Sequence, residues 1–273
     1  GGGEVLKITT NVTYYGLYTK NVSVTYNLNG GVGTTPSKQT VERKVNSYSI
    51  INIFDPEVQI SDLQASKTGY TFNSWNTNEN GTGTKYLVGN KTKLSEDLNL
   101  YAIWTQNKYQ VTFNTNGGSS VENKEVTYDL AYGNLPSTTK TGYTFSGWYL
   151  DNETFKNKIE ETTKVSTPNN HTLYAKWDII TYKITYNLNG GTLENANKES
   201  YTIETPSFTL NNPQKEGYTF IGWTGSNGNE ASKTVTIEKG STSDKQYTAN
   251  WEANKYTVSF NSNGGNDIAS KEV

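Results

Sequence analysis

Four short glycine-rich stretches of the 273-residue chain are the first candidates for chemistry. NLNGG stands at 27–31 and again at 187–191, with the variants NTNGG at 114–118 and NSNGG at 261–265. A phosphate-binding loop would need Gly-Lys-Ser/Thr opening a helix, or G-x-G-x-x-G between a strand and a helix. Neither accompanies these stretches, whereas Asn-Gly pairs accept the positive φ of tight hairpin turns. We therefore predict four hairpin turns, whose structural glycines are Gly30, Gly117, Gly190 and Gly264.

The remaining polar residues offer little for catalysis or metal binding. His171 is the single histidine and there is no cysteine, so metal sites built from His or Cys clusters and thiol nucleophiles are excluded. A Ser-His-Asp arrangement could stand in only one repeat, and we expect His171 to be a solvated loop residue. Asn76–Gly83 mimics the spacing of a calcium loop, but Glu79 is its only charged residue and such loops need several carboxylates. We predict a polar turn there, and no catalytic residue, metal site or cofactor.

Some aromatic residues and loops are candidates for ligand contact. Tyr149 and the pair Tyr101 and Tyr174 are expected at the surface, where they could stack on sugars or pack against a neighbouring module. We favour packing. The loops at 76–83, 151–155 and 225–230 differ in sequence, which marks them as places for a repeat-specific contact. No ligand-binding residue can be named from these features.

Two further signatures recur in fixed order and show that the chain is repetitive. KTGYTFNSW at 67–75 returns as KTGYTFSGW at 140–148 and KEGYTFIGW at 215–223. A closing signature ends at Trp104, Trp177 and Trp251, at intervals of 73 and 74 residues. The predicted domains are repeat 1 at 22–104 (with an insertion), repeat 2 at 109–177, repeat 3 at 182–251 and the first hairpin of a fourth repeat at 256–273. Residues 1–21 form an N-terminal segment, whose opening Gly1-Gly2-Gly3 is typical of a cloning remnant.

The segments between repeats have a constant length. Each closing tryptophan is followed five positions later by the first tyrosine of the next repeat, which is Tyr109, Tyr182 or Tyr256. Free linkers would vary, because loop entropy depends weakly on length, so the constancy predicts a fixed junction. At roughly 25–35 Å per compact module, three repeats would form a semi-rigid rod on the order of 80–100 Å.

Each repeat has the pattern of short strands around an aromatic core. Apolar and polar residues alternate in the first strand and in the closing strand. Alternation alone would place Trp148 opposite Phe145, but a β-bulge at Gly147 would return the indole to the same face, less securely at Ser74 of repeat 1. Helix signal is weak, and only the insertion has room for one short helix around Ser61–Ser66. The structural residues predicted in the two signatures are Tyr70, Phe72, Trp75, Trp104, Tyr143, Phe145, Trp148, Trp177, Tyr218, Phe220, Trp223 and Trp251.

Composition narrows the class of protein further. The net charge is −2, which gives no electrostatic case for nucleic acid or anionic lipid. No apolar run approaches the length of a membrane span, so we expect no membrane insertion. Aromatic residues make up 12% of the chain, which is typical of a folded protein. The absence of both Cys and Met favours export into an oxidising space.

The ordered signatures N-x-N-G-G, K-x-G-Y-T-F-x-G-W and L-Y-A-K-W resemble those of the Listeria–Bacteroides repeat, also called the internalin B-type B repeat, from residue 22 to the end. The resemblance implies an α+β, predominantly β fold of tandem small β-grasp-like (ubiquitin-like) modules in an elongated array. It also implies an exported protein of the bacterial cell surface or cell wall, often an adhesin, with no catalytic residues. The departures are the insertion in repeat 1, Ser74 and the YTANW that ends at Trp251.

Two functions remain open at this point. The first is a non-catalytic semi-rigid stalk that presents a distal domain. The second is an adhesion module whose repeats bind a host surface protein, a glycan or a neighbouring repeat in cis, with repeat 1 the first candidate. We expect a monomer in solution. A Lys–Asn cross-link beside a buried carboxylate, known from surface proteins of Gram-positive bacteria, is a further option.

Overall fold

The computed structural model describes residues 10–11, 17–46 and 54–273. Every regular element in this part is a β-strand, and none of it is a helix that could cross a membrane. The prediction of a predominantly β chain is confirmed. The prediction of a short helix around Ser61–Ser66 is wrong, because Gln64–Ser66 pairs as a strand. The predictions on Gly1-Gly2-Gly3 and on residues 47–53 of the insertion lie outside the described residues.

The chain divides into two compact units. The described residues up to 112, together with 122–135 and 160–172, belong to the first, and residues 113–121, 136–159 and 173–273 to the second. The division passes through repeat 2, so the first unit contains repeat 1 and its connection to repeat 2, and the second contains the connection from repeat 2 to repeat 3.

The described part of repeat 1 is built around one five-stranded mixed sheet. The strands of this repeat are β1 (Leu17–Asn27), β2 (Val32–Thr34), β3 (Gln39–Asn46), β4 (Glu57–Gln59), β5 (Gln64–Ser66), β6 (Tyr70–Asn76), β7 (Lys85–Tyr86), β8 (Lys91–Lys93) and β9 (Leu98–Gln106). The sheet order is β3-β1-β9-β6-β7. β1 and β9 are parallel, and the other neighbours are antiparallel. β2–β5 and β4–β8 form two short antiparallel ladders beside this sheet.

Repeats 2 and 3 contain the corresponding five-stranded sheets. Their strands are β10 (Lys108–Asn114), β11 (Lys124–Thr127), β12 (Tyr143–Tyr149), β13 (Lys158–Ile159), β14 (His171–Ile179), β15 (Tyr182–Asn187), β16 (Ser200–Tyr201), β17 (Phe208–Thr209), β18 (Tyr218–Gly225), β19 (Gly228–Ser232), β20 (Thr236–Ile237) and β21 (Lys245–Ala253). The sheet orders are β11-β10-β14-β12-β13 and β16-β15-β21-β18-β19. Beyond repeat 3, β22 (Thr257–Val258) and β23 (Lys271–Glu272) pair in antiparallel fashion.

The predicted β-bulge is confirmed in repeat 2 and also occurs in repeats 1 and 3, the latter between Phe220 and Gly222. The pairing of β12 with β14 shifts between Phe145 and Gly147, where Gly147 has φ 125°. The same shift occurs between Phe72 and Ser74, so a glycine is not required. Because one extra residue reverses the alternation, both rings of the signature enter the core. Phe145 lies between two tryptophans, edge-on to Trp148 at 5.3 Å and tilted against Trp177 at 5.4 Å between ring centroids.

The core of each repeat contains one fully buried tryptophan, that of the K-x-G-Y-T-F-x-G-W signature. Trp75, Trp148 and Trp223 are at most 1% exposed, and each indole N–H has an acceptor, such as the Pro136 carbonyl at 2.7 Å from Trp148. The closing tryptophans are only half-buried. Aromatic area therefore supplies much of the core of modules that are small.

Two predictions about single side chains in repeat 2 are wrong. Tyr149 is not at the surface: it is 8% exposed and its ring packs edge-on to Phe155, whereas Tyr174 and Tyr101 are half-buried. His171 is not a loop residue: it begins β14, and its imidazole Nε2 lies 2.7 Å from the buried Tyr132 hydroxyl. In both cases the strand position, which the sequence pattern does not fix, places the ring against the core.

Candidate functional site: turns and junctions of the repeats

The N-x-N-G-G stretch of repeat 1 forms a reverse turn held by its own side chains. The Gly31 amide donates to the Leu28 carbonyl at 3.0 Å, and the two central residues have positive φ, 48° at Asn29 and 82° at Gly30. These values are typical of a type I′ turn. The Asn27 carboxamide oxygen accepts the Asn29 amide at 2.8 Å. The corresponding Asn and Gly residues of the other three copies also have positive φ, at Asn116, Gly117, Asn189, Gly190, Asn263 and Gly264.

The turn joins β1 to β2, which pair with β3 and β5 and not with each other, and this corrects the hairpin prediction. In repeat 1 the last paired positions of β1 and β3 are Val24 and Gln39, so residues 25–38 lie between them. The turn is instead tied to the closing strand. Asn29 donates its carboxamide N–H to the Ala102 carbonyl at 2.9 Å, and the Trp104 indole donates to the Leu28 carbonyl at 2.9 Å. The same two bonds recur in repeats 2 and 3 as Asn116 to Ala175, Trp177 to Thr115, Asn189 to Ala249 and Trp251 to Leu188.

The second glycine of the turn has a separate role that the sequence analysis missed. A Cβ atom at Gly31, Gly118 or Gly191 would lie about 2.4–2.5 Å from the Cζ2 atom of the closing tryptophan. The indole therefore packs directly on the glycine backbone. The sequence did contain a signal for this role. A turn of this type needs positive φ only at the two residues before this glycine, so the recurrence of a second glycine needed another cause.

The lysine of K-x-G-Y links the two signatures. Lys140 donates from Nζ to the Asn116 carbonyl at 2.9 Å and lies 4.5 Å from the centroid of the Tyr143 ring. Lys215 repeats both contacts, to the Asn189 carbonyl at 3.0 Å and over the Tyr218 ring at 4.1 Å. Such a cation stabilises the turn through its carbonyl and through the ring face.

The K-x-G-Y segment forms a turn, and its glycine carbonyl accepts a hydrogen bond from the linker to the next repeat. The Tyr70 amide donates to the Lys67 carbonyl at 2.9 Å, with Gly69 at φ 76°. The Gly69 carbonyl accepts the amide of Asn107 at 2.9 Å, and the Asn107 carbonyl accepts the amide of Tyr128 at 2.9 Å. The linker is thus hydrogen-bonded to the repeats on both of its sides.

The junction of repeats 1 and 2 is closed by two side chains after β11. A Cβ atom on Gly69 would lie 2.2 Å from the Tyr128 ring, and that ring packs edge-on to Tyr70 at 5.7 Å between centroids. The Tyr70 hydroxyl donates to Asp129 at 3.2 Å, and Asp129 also accepts from Lys164 at 3.2 Å. Burial and then the bond to Asp129 raise the pKa of Tyr70. Lys164 and then Tyr70 lower the pKa of the Asp129 carboxyl.

The junction of repeats 2 and 3 repeats this geometry with different residues. The Gly142 carbonyl accepts the Ile180 amide at 2.9 Å. A Cβ atom on Gly142 would lie 2.7 Å from Ile203, and the Tyr143 hydroxyl donates to the Glu204 carboxylate. That bond is the largest cause of the raised pKa of Tyr143. Each junction therefore pairs a glycine and a tyrosine of one repeat with a bulky apolar residue and a carboxylate of the next.

The calcium-like stretch of repeat 1 forms a self-contained polar turn. Asn76 is 3% exposed, and its carboxamide oxygen accepts the amides of Asn78 at 2.9 Å and Gly83 at 3.0 Å. The described residues contain no group of three or more His, Cys, Asp or Glu side chains that could hold a metal ion. Their buried polar residues are Ser23, Ser74, Asn76 and Thr138, so they do not place a buried lysine beside a carboxylate for the cross-link considered above.

The repeat-specific loop of repeat 2 is organised by one carboxylate. Asp151 Oδ1 accepts from the Thr154 hydroxyl at 2.8 Å and from the amides of Thr154 at 2.7 Å and Phe155 at 2.8 Å. The Thr154 hydroxyl is the largest cause that lowers the pKa of Asp151 to about 2. This carboxylate stabilises the loop conformation.

Repeated mixed sheets joined by a recurring contact between a turn and a linker define a tandem β-repeat protein. The Listeria-Bacteroides repeat domain matches the chain three times, at residues 23–103, 109–176 and 182–250. The chain therefore belongs to the Listeria-Bacteroides repeat domain family, as its signatures predicted.

Three relatives are longer proteins that share these repeats. A protein of Evansella cellulosilytica, provisionally named a Gly-rich membrane protein, is 36% identical over 226 residues, covering 80% of this chain and 25% of the relative. A second protein of that bacterium, provisionally named a membrane protein, is 34% identical over 184 residues, with 64% and 26% covered. Internalin H of Listeria monocytogenes is 38% identical over 112 residues, with 41% and 20% covered. The chain spans about a fifth to a quarter of the length of these relatives.

Proposed function

We propose that this chain is the non-catalytic tandem-repeat region of an exported bacterial cell-surface protein, secreted to the cell wall of a Gram-positive bacterium. It acts as a semi-rigid stalk that presents a distal domain. The observation that carries the proposal is the junction. Gly69 with Tyr70, and Gly142 with Tyr143, hold the next repeat through equivalent contacts, although the residues that they contact differ. Two relatives are named as membrane proteins and one as an internalin, which supports a place at the cell surface.

We infer that each module is β-grasp-like. The support is the strand order, in which the first and last strands of the repeat form a parallel pair at the centre of a mixed sheet. In repeat 3, Ile237 of β20 and the flanking residues Leu210 and Val235, whose backbones are hydrogen-bonded at 2.9 Å, enter the core, where an α+β member of this class would place a helix.

Small-angle X-ray scattering of the chain tests the stalk. A semi-rigid monomeric rod predicts a maximum dimension of at least on the order of 80–100 Å for three modules, unchanged between dilute and concentrated solutions. A compact profile expected of a 273-residue globule, or a scattering mass that rises with concentration, would contradict the proposal.

A second function, adhesion through repeat 1, is favoured by its insertion. Phe54 is 69% exposed and lies in a small surface hollow with Asp55, Glu57 and Lys93. The partner would be a host surface protein or a glycan.

Binding to host cells and to a glycan array separates the two functions. The whole chain and a Phe54→Ser variant are compared, because Phe54 contributes little to the core and its loss should leave folding intact. Binding that is lost in the variant supports adhesion through repeat 1. Equal binding by both removes Phe54 as the contact, and no binding by either removes adhesion and leaves the stalk.

A further inference from the structure

The K-x-G-Y turn of repeat 3 has the same hydrogen bonds, within the turn and to the linker, as those of repeats 1 and 2. The Tyr218 amide donates to the Lys215 carbonyl at 3.1 Å, and the Gly217 carbonyl accepts the Asn254 amide at 2.9 Å. The Thr219 hydroxyl donates to the Asn254 side chain at 2.6 Å, as Thr71 does to Asn107 at 2.6 Å in the first junction. The linker half of a junction is therefore already in place.

The other half of this junction is open among the described residues. A Cβ atom on Gly217 would have no heavy atom within 4 Å, whereas the equivalent atoms on Gly69 and Gly142 would collide with Tyr128 and Ile203. Tyr218 is 41% exposed. The turn thus presents a bare glycine, a ring face and a phenol hydroxyl together.

We propose that the turn at Lys215–Tyr218 is a docking site for the end of the second strand of a further repeat of this family. The occupant carries a bulky apolar residue followed by Asp or Glu. The apolar side chain packs on Gly217, because only a position without a side chain lets it reach the backbone. The carboxylate accepts the Tyr218 hydroxyl, as Asp129 and Glu204 accept Tyr70 and Tyr143.

The position of the occupant follows from strand register. Tyr256 and Val273 exchange backbone hydrogen bonds at 2.9 Å in both directions, which corresponds to the pairing of Tyr109 with Val126. Tyr128 and Asp129 stand two and three positions after Val126. The docking residues of a fourth repeat would therefore stand two and three positions after Val273. This inference rests on the proposed stalk, whose fixed junctions it continues.

Hydrogen exchange on a lengthened chain tests the site. The chain is followed after Val273 by the sequence of residues 127–177, which completes a fourth repeat and supplies Tyr-Asp at the docking positions. A matched control has Gly-Asn at those two positions. We expect the amides of Tyr218 and Asn254 to exchange at least roughly tenfold more slowly in the Tyr-Asp chain than in the control. Equal exchange would overturn the proposal.

Substitution of Gly217 provides a second measurement. Gly217 has φ 73°, so alanine is strained there in any chain. In the unaltered 273-residue chain, Gly217→Ala should lower the denaturation midpoint of repeat 3 only by the amount that this strain causes. In the Tyr-Asp chain the same substitution should lower that midpoint further, because the docked side chain is also displaced. The same drop in both chains would contradict docking. A version completed with residues 202–251, which supplies Ile-Glu, repeats both measurements if the first extension does not fold.

These experiments are independent of the test of the stalk. Scattering of the unaltered chain depends on the junctions at Gly69 and Gly142, not on Gly217. If docking fails but the scattering profile is extended, the proposed function stands. If docking occurs but the profile is compact, only the stalk is removed.

Discussion

The indole of each closing tryptophan occupies the space that a side chain would take at the second glycine of N-x-N-G-G. This contact joins residues far apart in sequence, such as Gly118 and Trp177. The tryptophan also satisfies a turn carbonyl through its N–H. The pair therefore fixes the turn against the closing strand by shape and by a hydrogen bond.

Gly118→Ala should destabilise repeat 2 by about 1–3 kcal/mol, because the new methyl group overpacks the site beside Trp177. Gly265→Ala in the fourth copy is the matched control, since its nearest contact is Ser262 at 3.3 Å, and its effect should stay within about 0.5 kcal/mol. Hydrogen exchange of the amides at positions 118 and 265, which donate to the Thr115 and Ser262 carbonyls at 3.0 Å, measures the local stability of both turns. Equal losses in the two variants would show that the tryptophan contact is not the cause.

Asp151→Asn tests the carboxylate that organises the loop of repeat 2. The native pKa of Asp151 is about 2, below its ordinary 3.8, so its ionised form stabilises the folded state above the unfolded pKa. That contribution is lost as pH falls through about 2. Asparagine keeps the carbonyl acceptor but removes the charge. The variant should be less stable than the parent above about pH 4, and the difference should shrink as pH falls and disappear only below about pH 2, measured by thermal denaturation across pH. A difference independent of pH would contradict this assignment.

Two elements position the aromatic signature, the bulge and the K-x-G-Y turn. The bulge lets Phe145 and Trp148 share one face although they are three residues apart. The turn presents Tyr143 and Gly142 to the next repeat. One short strand therefore serves the core of its own repeat and the junction with its neighbour.

The junction predicts a specific change in tyrosine titration. Burial is the largest cause that raises the pKa of Tyr70, and Asp129 raises it further as a hydrogen-bond acceptor and as a charge. Asp129→Asn should therefore lower that pKa part of the way towards 10. Tyr143, whose acceptor is Glu204, is the internal control and should not change. NMR of ring-labelled tyrosine between pH 9 and 12 separates the two residues. A shift of both tyrosines, or of neither, would argue against this contact in solution.

At the scale of the whole molecule, the constancy of the linkers has a structural cause. Asn107 bonds backward to Gly69 and forward to Tyr128, and Ile180 bonds backward to Gly142. A linker of another length could not keep such bonds in register with the docked side chain. The fixed spacing seen in the sequence therefore follows from the junction.

Insertion of Gly-Ser-Gly before Asn107 should release the first junction. The amides of Asn107 and Tyr128 should exchange at least roughly tenfold faster, while the buried core of repeat 1 keeps its protection. The control is the same insertion between Glu122 and Asn123, in the exposed connection of β10 and β11, which should leave both amides protected. Unchanged protection at Asn107 would contradict a coupled junction.

Much of this protein could be predicted from its sequence, because the relevant signals are local. Positive φ at Asn29 and Gly30, the bulge at Gly147 and the repeat period depend on a few neighbouring residues or on recurrence. These signals predicted the turns, the strands and the family. They did not predict that Tyr149 is buried or that His171 begins a strand, since both depend on where a strand starts and on which elements cover it.

The sequence by itself determined the repeats, their order of signatures and their family, since side-chain chemistry and backbone preference act within a few residues. Only the tertiary structure decided what each signature contacts. The turn at Asn29 meets Trp104, and the glycine at 69 meets Tyr128 in the next repeat. Such pairs are separated by tens of residues, and the sheet order and the linker register bring them together, which no local pattern encodes.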